Sequence, residues 1–269
     1  MKLESKKIAI IGCGNIGSAI ADGIIKTKSV IRKNIFITRR KKEALAKYKK
    51  LGLNTTTDNK KAVHSSEIVI IAVTPHQLDA VLEDIKYSLD EKKHIIFSVV
   101  SGVNIKSIKD KIGKNIPVVR VMPNTAIKIS ESMTCLSVLN ENKKALDLAK
   151  QLFDLLGSTL IIKEELMVPA TVLGACGIAF FMRAIRAASQ GGIEIGFHAE
   201  EALFIAAQTA KGAASILLMN KTHPEEEVDK VTTPQGCTIA GLNEMEHNGF
   251  SSSLIKGIVT SSEKCSKLS

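Results

Sequence analysis

Tryptophan is absent, tyrosine occurs twice, and aromatics make up only 4% of the 269 residues. Nucleic-acid modules combine stacking aromatics with a basic stripe and a recognisable motif. Here the formal charge of +10 is spread over scattered Lys and Arg, which excludes a nucleic-acid partner and suits encounter with anionic small molecules. The five cysteines, Cys13, Cys135, Cys176, Cys237 and Cys265, contain no C-x-x-C pair and are odd in number. That excludes a disulfide framework and points to a reducing, cytoplasmic setting. No His/Cys cluster has ligand spacing, so no metal is expected. No apolar run is read as long enough to span a bilayer, and no membrane partner is expected. Met1 to Lys7 show no apolar signal region, and Lys267-Leu268-Ser269 is not a Ser-Lys-Leu address.

What is present begins at Ile8. An apolar run, Ile8 to Ile11, breaks into Gly12-Cys13-Gly14-Asn15-Ile16-Gly17, and helical spacing follows from Ser18 to Ile25. Strand, tight turn and helix start form the context in which G-x-G-x-x-G signals dinucleotide binding. Gly12 permits the turn, Gly14 lets a pyrophosphate approach the backbone, and Gly17 allows close helix packing. The amides of Asn15 and Ile16 then stand at the positive end of a helix dipole.

From Lys6 to about Ile162, β-branched runs alternate with helical segments. Strands are expected at Lys7-Ile11, Asn34-Thr38, Ile68-Val73, Ile95-Val100, Val118-Met122, Cys135-Val138 and Thr159-Ile162, with helices at Ile16-Lys26, Lys41-Leu51, Gln77-Ile85, Ile105-Ile112 and Lys143-Leu156. The alternation implies an α/β Rossmann domain, a doubly wound and mainly parallel sheet. Ile68-Val73, apolar on both faces, reads as a central strand. Beyond Glu164 only alanine-rich helices are expected: Val168-Gln190, Ala199-Asn220, Pro224-Val231, Ile239-His247 and Ser251-Lys264. The chain therefore divides into a dinucleotide-binding domain over 1–163 and an all-α domain over 164–269. With so few aromatics, the second buries its apolar faces most easily against another copy.

The second strand ends in Thr38-Arg39-Arg40-Lys41, with no carboxylate before Glu43. NAD enzymes place an acid here for the ribose 2′-hydroxyl. Arg39 and Arg40 instead match a 2′-phosphate, so NADPH is the expected cofactor, with NADH as the alternative. Val73-Thr74-Pro75 and Val121-Met-Pro-Asn124-Thr125 lie at the same carboxyl edge of the sheet. His76 reads as a solvated or capping residue, and Asn124 as either turn chemistry or a nicotinamide contact.

The spine of the helical half is Thr232-Thr-Pro-Gln-Gly-Cys-Thr-Ile-Ala-Gly-Leu242, followed by Glu246 and Gly249-Phe250. Taken with Arg120-Val-Met-Pro-Asn-Thr125, the glycine turn and Ala72-Val-Thr-Pro75, the chain resembles the pyrroline-5-carboxylate reductase family from about Lys6 to Ser262. The resemblance implies a Rossmann domain and a helical dimerisation domain, with dimers assembling into larger rings. It also implies hydride transfer from NADPH to the imine of 1-pyrroline-5-carboxylate, giving L-proline. By position it makes Thr238 the catalytic hydroxyl at the substrate nitrogen. It assigns the carboxylate to amides of Gly236, Cys237 and Thr238, and places Cys176 on a substrate segment. Asn124 would lie near the nicotinamide, and Val73, Thr74 and Pro75 near the adenosine ribose. For Thr238 the alternative is a plain helix N-cap.

Departures from the family pattern concentrate in one stretch. Gly174-Ala-Cys-Gly-Ile-Ala-Phe180 stands where Ser-Gly-Ser-Gly-Pro-Ala-Tyr is usual, and Gln235 replaces a glycine of the carboxylate loop. Cys176 and Cys237 have no neighbouring His to serve as base, so they read as small buried packing residues. Two rivals share the plan: a related imine or hydroxyacid oxidoreductase, and a non-catalytic NADP-binding regulator. Carbonyl reduction needs a strong proton donor, and Val168 to Glu194 contain no Lys.

Overall fold

The computed structural model describes residues 3–139 and 142–267. Among them, one compact group runs through Cys176 and takes in the chain end from Ser262; a second comprises Gly177–Ser261. The first is built on an eight-stranded sheet: β1 (Ile8–Ile11), β2 (Ile35–Thr38), β3 (Asn54–Thr56), β4 (Ile68–Ile71), β5 (Ile95–Ser98), β6 (Val118–Met122), β7 (Ser132–Val138) and β8 (Gly157–Ile161). Their spatial order is β3-β2-β1-β4-β5-β6-β7-β8. All neighbours run parallel except β6 and β7, which are antiparallel.

Alternate residues of each central strand feed two cores. Ile8, Ile10, Ile68, Ile70 and Phe97 face one side, packed with Ile20 and Ile24 of α1 (Asn15–Thr27) and with Leu152 and Phe153 of α6 (Lys143–Asp154). Ala9, Ile11, Val69 and Ile71 face the other. There they meet α3 (Asn59–His64), α4 (Pro75–Ile85) and α5 (Ile105–Ile112). Every residue of β4 is buried, as a strand covered on both faces must be.

Two elements were not expected from the sequence. β3 is three polar residues, Asn-Thr-Thr, and α3 is six, so neither carries an apolar period. β7 starts three residues before its expected Cys135, because Ser132 and Thr134 are buried through mutual hydrogen bonding rather than apolar character. The expected helix Lys41-Leu51 is a 3-10 turn, Lys42–Leu45, running into the short α2 (Ala46–Lys50).

After β8 come a 3-10 turn (Glu164–Leu166), the short α7 (Met167–Ala170) and a π-helical turn (Thr171–Cys176). The second group holds α8 (Gly177–Glu194), α9 (Ala199–Asn220), α10 (Pro224–Lys230), α11 (Cys237–His247) and most of α12 (Phe250–Ser266). Gly192 and Ala202 bring α8 and α9 into close contact, a Cβ on residue 192 lying 3.0 Å from that of Ala202. Few other residues of this group are buried. Phe204, Leu218 and Met219 are each more than 70% exposed.

Two helical stretches, Glu164–Glu194 and Ala199–Asn220, are long and apolar enough to cross a membrane by length and composition. This corrects the expectation that no such run exists. Internal charges, Arg183 and Arg186 in the first and Lys211 in the second, break what would otherwise read as continuous apolar runs.

His94 is buried in the first group. The Asp90 N–H donates to its Nδ1 at 2.8 Å, and its Nε2 meets the Val63 carbonyl at 3.0 Å. The ring is therefore the neutral tautomer with its proton on Nε2, and burial holds its pKa below the ordinary imidazole value, with Lys93 adding repulsion. A lowered folded pKa means the unfolded chain binds the proton first. The contribution of His94 to stability is thus complete above roughly pH 6.5 and is lost as pH falls through the folded value. Thermal midpoints measured from pH 7.5 to 5 should fall more steeply for wild type than for His94→Gln; parallel slopes would refute the assignment.

Candidate active site

The cofactor-side cleft grows from the turn between β1 and α1. Gly12 has φ +96°, a left-handed conformation that side chains resist. A Cβ there would come within 2.6 Å of the Ala72 carbonyl oxygen, and one on Gly17 within 2.0 Å of the Gly12 carbonyl oxygen. A Cβ on Gly14, by contrast, would meet nothing within 4 Å. Gly12 and Gly17 are thus demanded by packing inside the protein, and Gly14 keeps open space beside the backbone. Gly14 is the N-cap of α1 with no side-chain cap. The amides of the first turn, from Asn15 on, therefore face outward without helical partners.

Strand β2 clamps this turn. The Cys13 N–H donates to the Thr38 carbonyl at 3.0 Å, and the Gly12 N–H reaches Thr38 Oγ1 at 3.4 Å. Thr38 Oγ1 donates to Asn59 Oδ1 (2.7 Å), and Asn59 Nδ2 to Asp84 Oδ2 (3.1 Å). Just past Thr38, Arg39, Arg40 and Lys41 are exposed and have no ion-pair partner among the described residues.

A cleft of about 1180 Å³ opens at this carboxyl edge. Gly12, Gly14, Asn15, Ile16, Arg39, Arg40, Val73, Thr74 and Pro75 all line it, whereas Gly17 packs behind the turn. Thr74 caps α4; its N–H faces Gln77 Oε1, and its hydroxyl lies 3.1 Å from His76 Nε2. Sequence reasoning missed Thr38, Thr57, Asn59 and Asp84 on the same wall. The one available signal was the polar run Thr55-Thr-Thr-Asp-Asn59, which has no hydrophobic pattern. Cys13 is buried beneath the turn, and burial raises its thiol pKa, so it stays protonated.

Asn124 is buried at the end of β6. Its Oδ1 accepts from the Ala126 N–H at 3.0 Å and its Nδ2 donates to the Gly174 carbonyl at 3.1 Å. Its oxygen therefore serves the local turn, and its amino group a contact far along the chain. Cys176 closes the π-helical turn and is exposed, as is Cys237. The expectation that both are buried packing residues is corrected, because the helices leave these faces uncovered. Partial burial raises the Cys176 pKa, and Cys265 adds to the effect, which disfavours a thiolate.

In the second group, Thr233 to Gly236 form a tight turn. The Gly236 N–H donates to the Thr233 carbonyl at 2.9 Å, and Gln235 is left-handed at φ +59°. Gly236 is the N-cap of α11. Thr238 is therefore the second helical residue and not the N-cap. The Gly236 amide, one of the expected carboxylate-binding trio, thus has a partner within its own turn. Cys237 and Thr238 keep outward first-turn amides at a positive helix end. A Cβ on Gly236 would meet Thr233 Oγ1 at 2.5 Å.

These features recur in known proteins. Residues 164–268 match the family described as pyrroline-5-carboxylate reductase dimerisation, and residues 7–102 match NADP oxidoreductase, coenzyme F420-dependent. The chain is 54% identical to pyrroline-5-carboxylate reductase 1 of Dictyostelium discoideum, covering 100% of this chain and 51% of that one. It therefore spans about half the length of that relative. It is 48% identical to reductase 2 of the same organism, covering 98% of this chain and 93% of that one. This chain belongs to the pyrroline-5-carboxylate reductase family. The crystal structure of Plasmodium falciparum pyrroline carboxylate reductase with NADP bound superposes with a TM-score of 0.89 at 26% identity, over 98% of both chains. The helical half of this reductase-family chain is its self-association domain, as the bare apolar faces of α8 and α9 require.

The glycines separate fold from ligand. Gly14→Ala should keep the wild-type thermal midpoint yet weaken NADPH binding at least about tenfold, a loss of ~1.4 kcal/mol. Gly17→Ala should instead lower stability by roughly 1–3 kcal/mol through overlap with the Gly12 carbonyl. Fluorescence titration and thermal melts distinguish the two; a destabilised Gly14→Ala would contradict the open space beside it.

Gln235 stores strain of roughly 1–2 kcal/mol in its left-handed backbone, of which glycine's unfolded-state freedom returns about 0.5–1 kcal/mol. Gln235→Gly should therefore raise stability by up to about 1 kcal/mol in urea denaturation. A lower midpoint would mean that the glutamine side chain holds the turn.

Proposed function

We propose that this chain is a pyrroline-5-carboxylate reductase, converting 1-pyrroline-5-carboxylate to L-proline with NADPH in preference to NADH. The observation that carries this reading is the cofactor edge: a glycine turn open at Gly14, outward helix-start amides, and three unpaired cations at the end of β2, in a chain of this family. When bound, NADPH supplies the hydride.

Asn15 and Ile16 offer amides to the pyrophosphate, and Arg39 and Arg40 take the 2′-phosphate, a charge no carboxylate in this loop opposes. Val73, Thr74 and Pro75 form the ribose wall, and Asn124 orders the loop beside the nicotinamide. The free amides of Cys237 and Thr238 hold the substrate carboxylate by the anion logic of a helix start. The Thr238 hydroxyl holds the ring nitrogen, and Cys176 lies on a substrate-lining segment. A pyrroline nitrogen is protonated at neutral pH, so the residues need only orient the imine carbon and exclude water; no strong general acid is required. The first domain, 1–163, thus handles the nucleotide, and 164–269 the substrate and self-association. Dimers, further joined into rings, in the cytoplasm and apart from membranes, complete the reading.

Purified enzyme should consume NADPH and form proline with pyrroline-5-carboxylate, but show no turnover with hydroxy or oxo acids. Thr238→Ala should lower kcat/KM by about ten- to a hundredfold, the worth of one hydrogen bond to a charged group. Arg39→Ala/Arg40→Ala should raise the KM for NADPH by a similar factor and that for NADH little. No proline from wild type, or a Thr238→Ala enzyme with wild-type kcat/KM, would defeat the proposal.

A further inference from the structure

The segment that leaves β8 begins with a carboxylate that serves two partners. Glu164 Oε1 accepts from Arg120 Nη1 at 3.1 Å and from the Ile105 N–H at 3.0 Å. Arg120 belongs to β6, and Ile105 is the first residue of α5. One oxygen therefore joins a strand, the positive end of a helix and the segment. Ten residues later the Gly174 carbonyl accepts from Asn124 Nδ2. Between these ties Met167 packs against Met122 and Cys135, and Thr171 Oγ1 donates to the Met167 carbonyl at 2.7 Å. The π-helical turn Thr171–Cys176 follows, a geometry that is rare and concentrated at functional sites.

The ion pair is ill suited to a purely stabilising role. The Arg120 side chain is 5% exposed and that of Glu164 19%. Yet Arg120 Nε, Arg120 Nη2 and Glu164 Oε2 have no hydrogen-bond partner among the described residues. Removing two charges from water for one N–H···O contact returns little net stability, and an apolar pair of similar volume would hold the segment as well. An apolar pair lacks register, however. Arg120 and Glu164 fix which residues of the segment stand opposite the end of β6, and that end leads into Asn124. Met122, also on β6, contacts Ser101 Oγ on the cleft wall through its sulfur at 4.0 Å.

We propose that Arg120 and Glu164 are positioning residues for hydride transfer. Their pair, with the Asn124–Gly174 hydrogen bond, sets residues 164–176 in one register on β6, so that Asn124 and the Gly174–Cys176 turn are preset at the end of the strand whose Met122 meets Ser101 of the cofactor cleft. The role in turnover rests on the reductase reading above; the pinning of the segment does not.

The test compares wild type, Arg120→Met/Glu164→Leu and Glu164→Gln in the full chain, by steady-state kinetics, NADPH titration, thermal melting and amide hydrogen exchange. The double variant removes both charges together, which avoids leaving one buried alone. It should melt near wild type and bind NADPH equally well, while kcat falls by about ten- to a hundredfold, the cost of slight misplacement. Exchange in the 167–176 peptide should rise about tenfold or more, with peptides of β1 and α1 unchanged. Glu164→Gln keeps an oxygen for both donors but leaves the Arg120 charge without its counter-charge, so it should melt below wild type yet retain most of kcat.

Three results overturn the proposal: wild-type exchange at 167–176 in the double variant, faster exchange with undiminished kcat, or a joint fall of kcat, NADPH affinity and melting midpoint. If wild type itself makes no proline, the reductase reading fails, and the exchange comparison still decides whether the pair pins the segment.

Discussion

A missing side chain and a carbonyl oxygen set the geometry of the nucleotide edge. Only hydrogen at residue 17 lets α1 start against the Gly12 carbonyl, since a Cβ would sit 2.0 Å from that oxygen. With α1 so close, β1 lies between β2 and β4, the position where the chain's strand order reverses. Ligands in open α/β sheets bind outside the strand ends at such a reversal. β2 delivers the cations to one side of the opening and β4 delivers Val73 to Pro75 to the other. The Thr38–Asn59–Asp84 hydrogen bonds then hold β2 and α3 at fixed distance from the glycine turn.

The helical half obeys a different constraint. Its small residues allow α8 and α9 to approach closely, as at Gly192 and Ala202, but close approach of two helices covers only one stripe of each. Phe181, Phe204, Leu218 and Met219 remain outside it. A patch of that extent on a lone chain is a surface awaiting a partner, and the match of residues 164–268 to a dimerisation family identifies the partner as another copy. The same uncovered faces explain why two of these helical stretches have membrane-like composition, and why Cys176 and Cys237 stand exposed.

What was legible in the sequence was whatever leaves a periodic or sterically unique trace. Ile8–Ile11 and Ile68–Ile71 announce buried strands, and the glycines announce the turn, because no side chain fits at Gly12 or Gly17 and Gly14 leaves the backbone open. Arg39 and Arg40 are readable because NAD sites demand the opposite charge. β3 and α3 are too short and polar to show a period, yet α3 supplies Asn59 to the cleft wall. The glutamine at 235 does not itself announce a left-handed backbone, although the glycine usual at that position does; the conformation goes with the hydrogen bond from Gly236 to Thr233. That hydrogen bond also moved the helix start back from Thr238 to Gly236, a shift of two residues that changes which amides are free. Tertiary hydrogen bonds of this kind have no local signature.

Each group presents first-turn backbone amides at a glycine-capped helix start, α1 in one and α11 in the other, and on the reading proposed above both hold anions. Backbone donors carry no titratable proton and need no side-chain entropy to be aimed. Among titratable side chains of the first group, His76 is tied to Thr74, burial raises the Cys13 thiol pKa, and partial burial with the Cys265 interaction raises that of the exposed Cys176. On the reductase reading, backbone donors of this kind suit a substrate that arrives already protonated, where catalysis reduces to bringing two carbons together. It also explains why the departures from the family pattern in Gly174–Phe180 are compatible with the reaction. In that stretch the Gly174 carbonyl accepts from Asn124 just past β6, a backbone contact that survives a change of neighbouring side chains. The two missing hydroxyls change side chains only, while the Gly174 carbonyl contact remains in place.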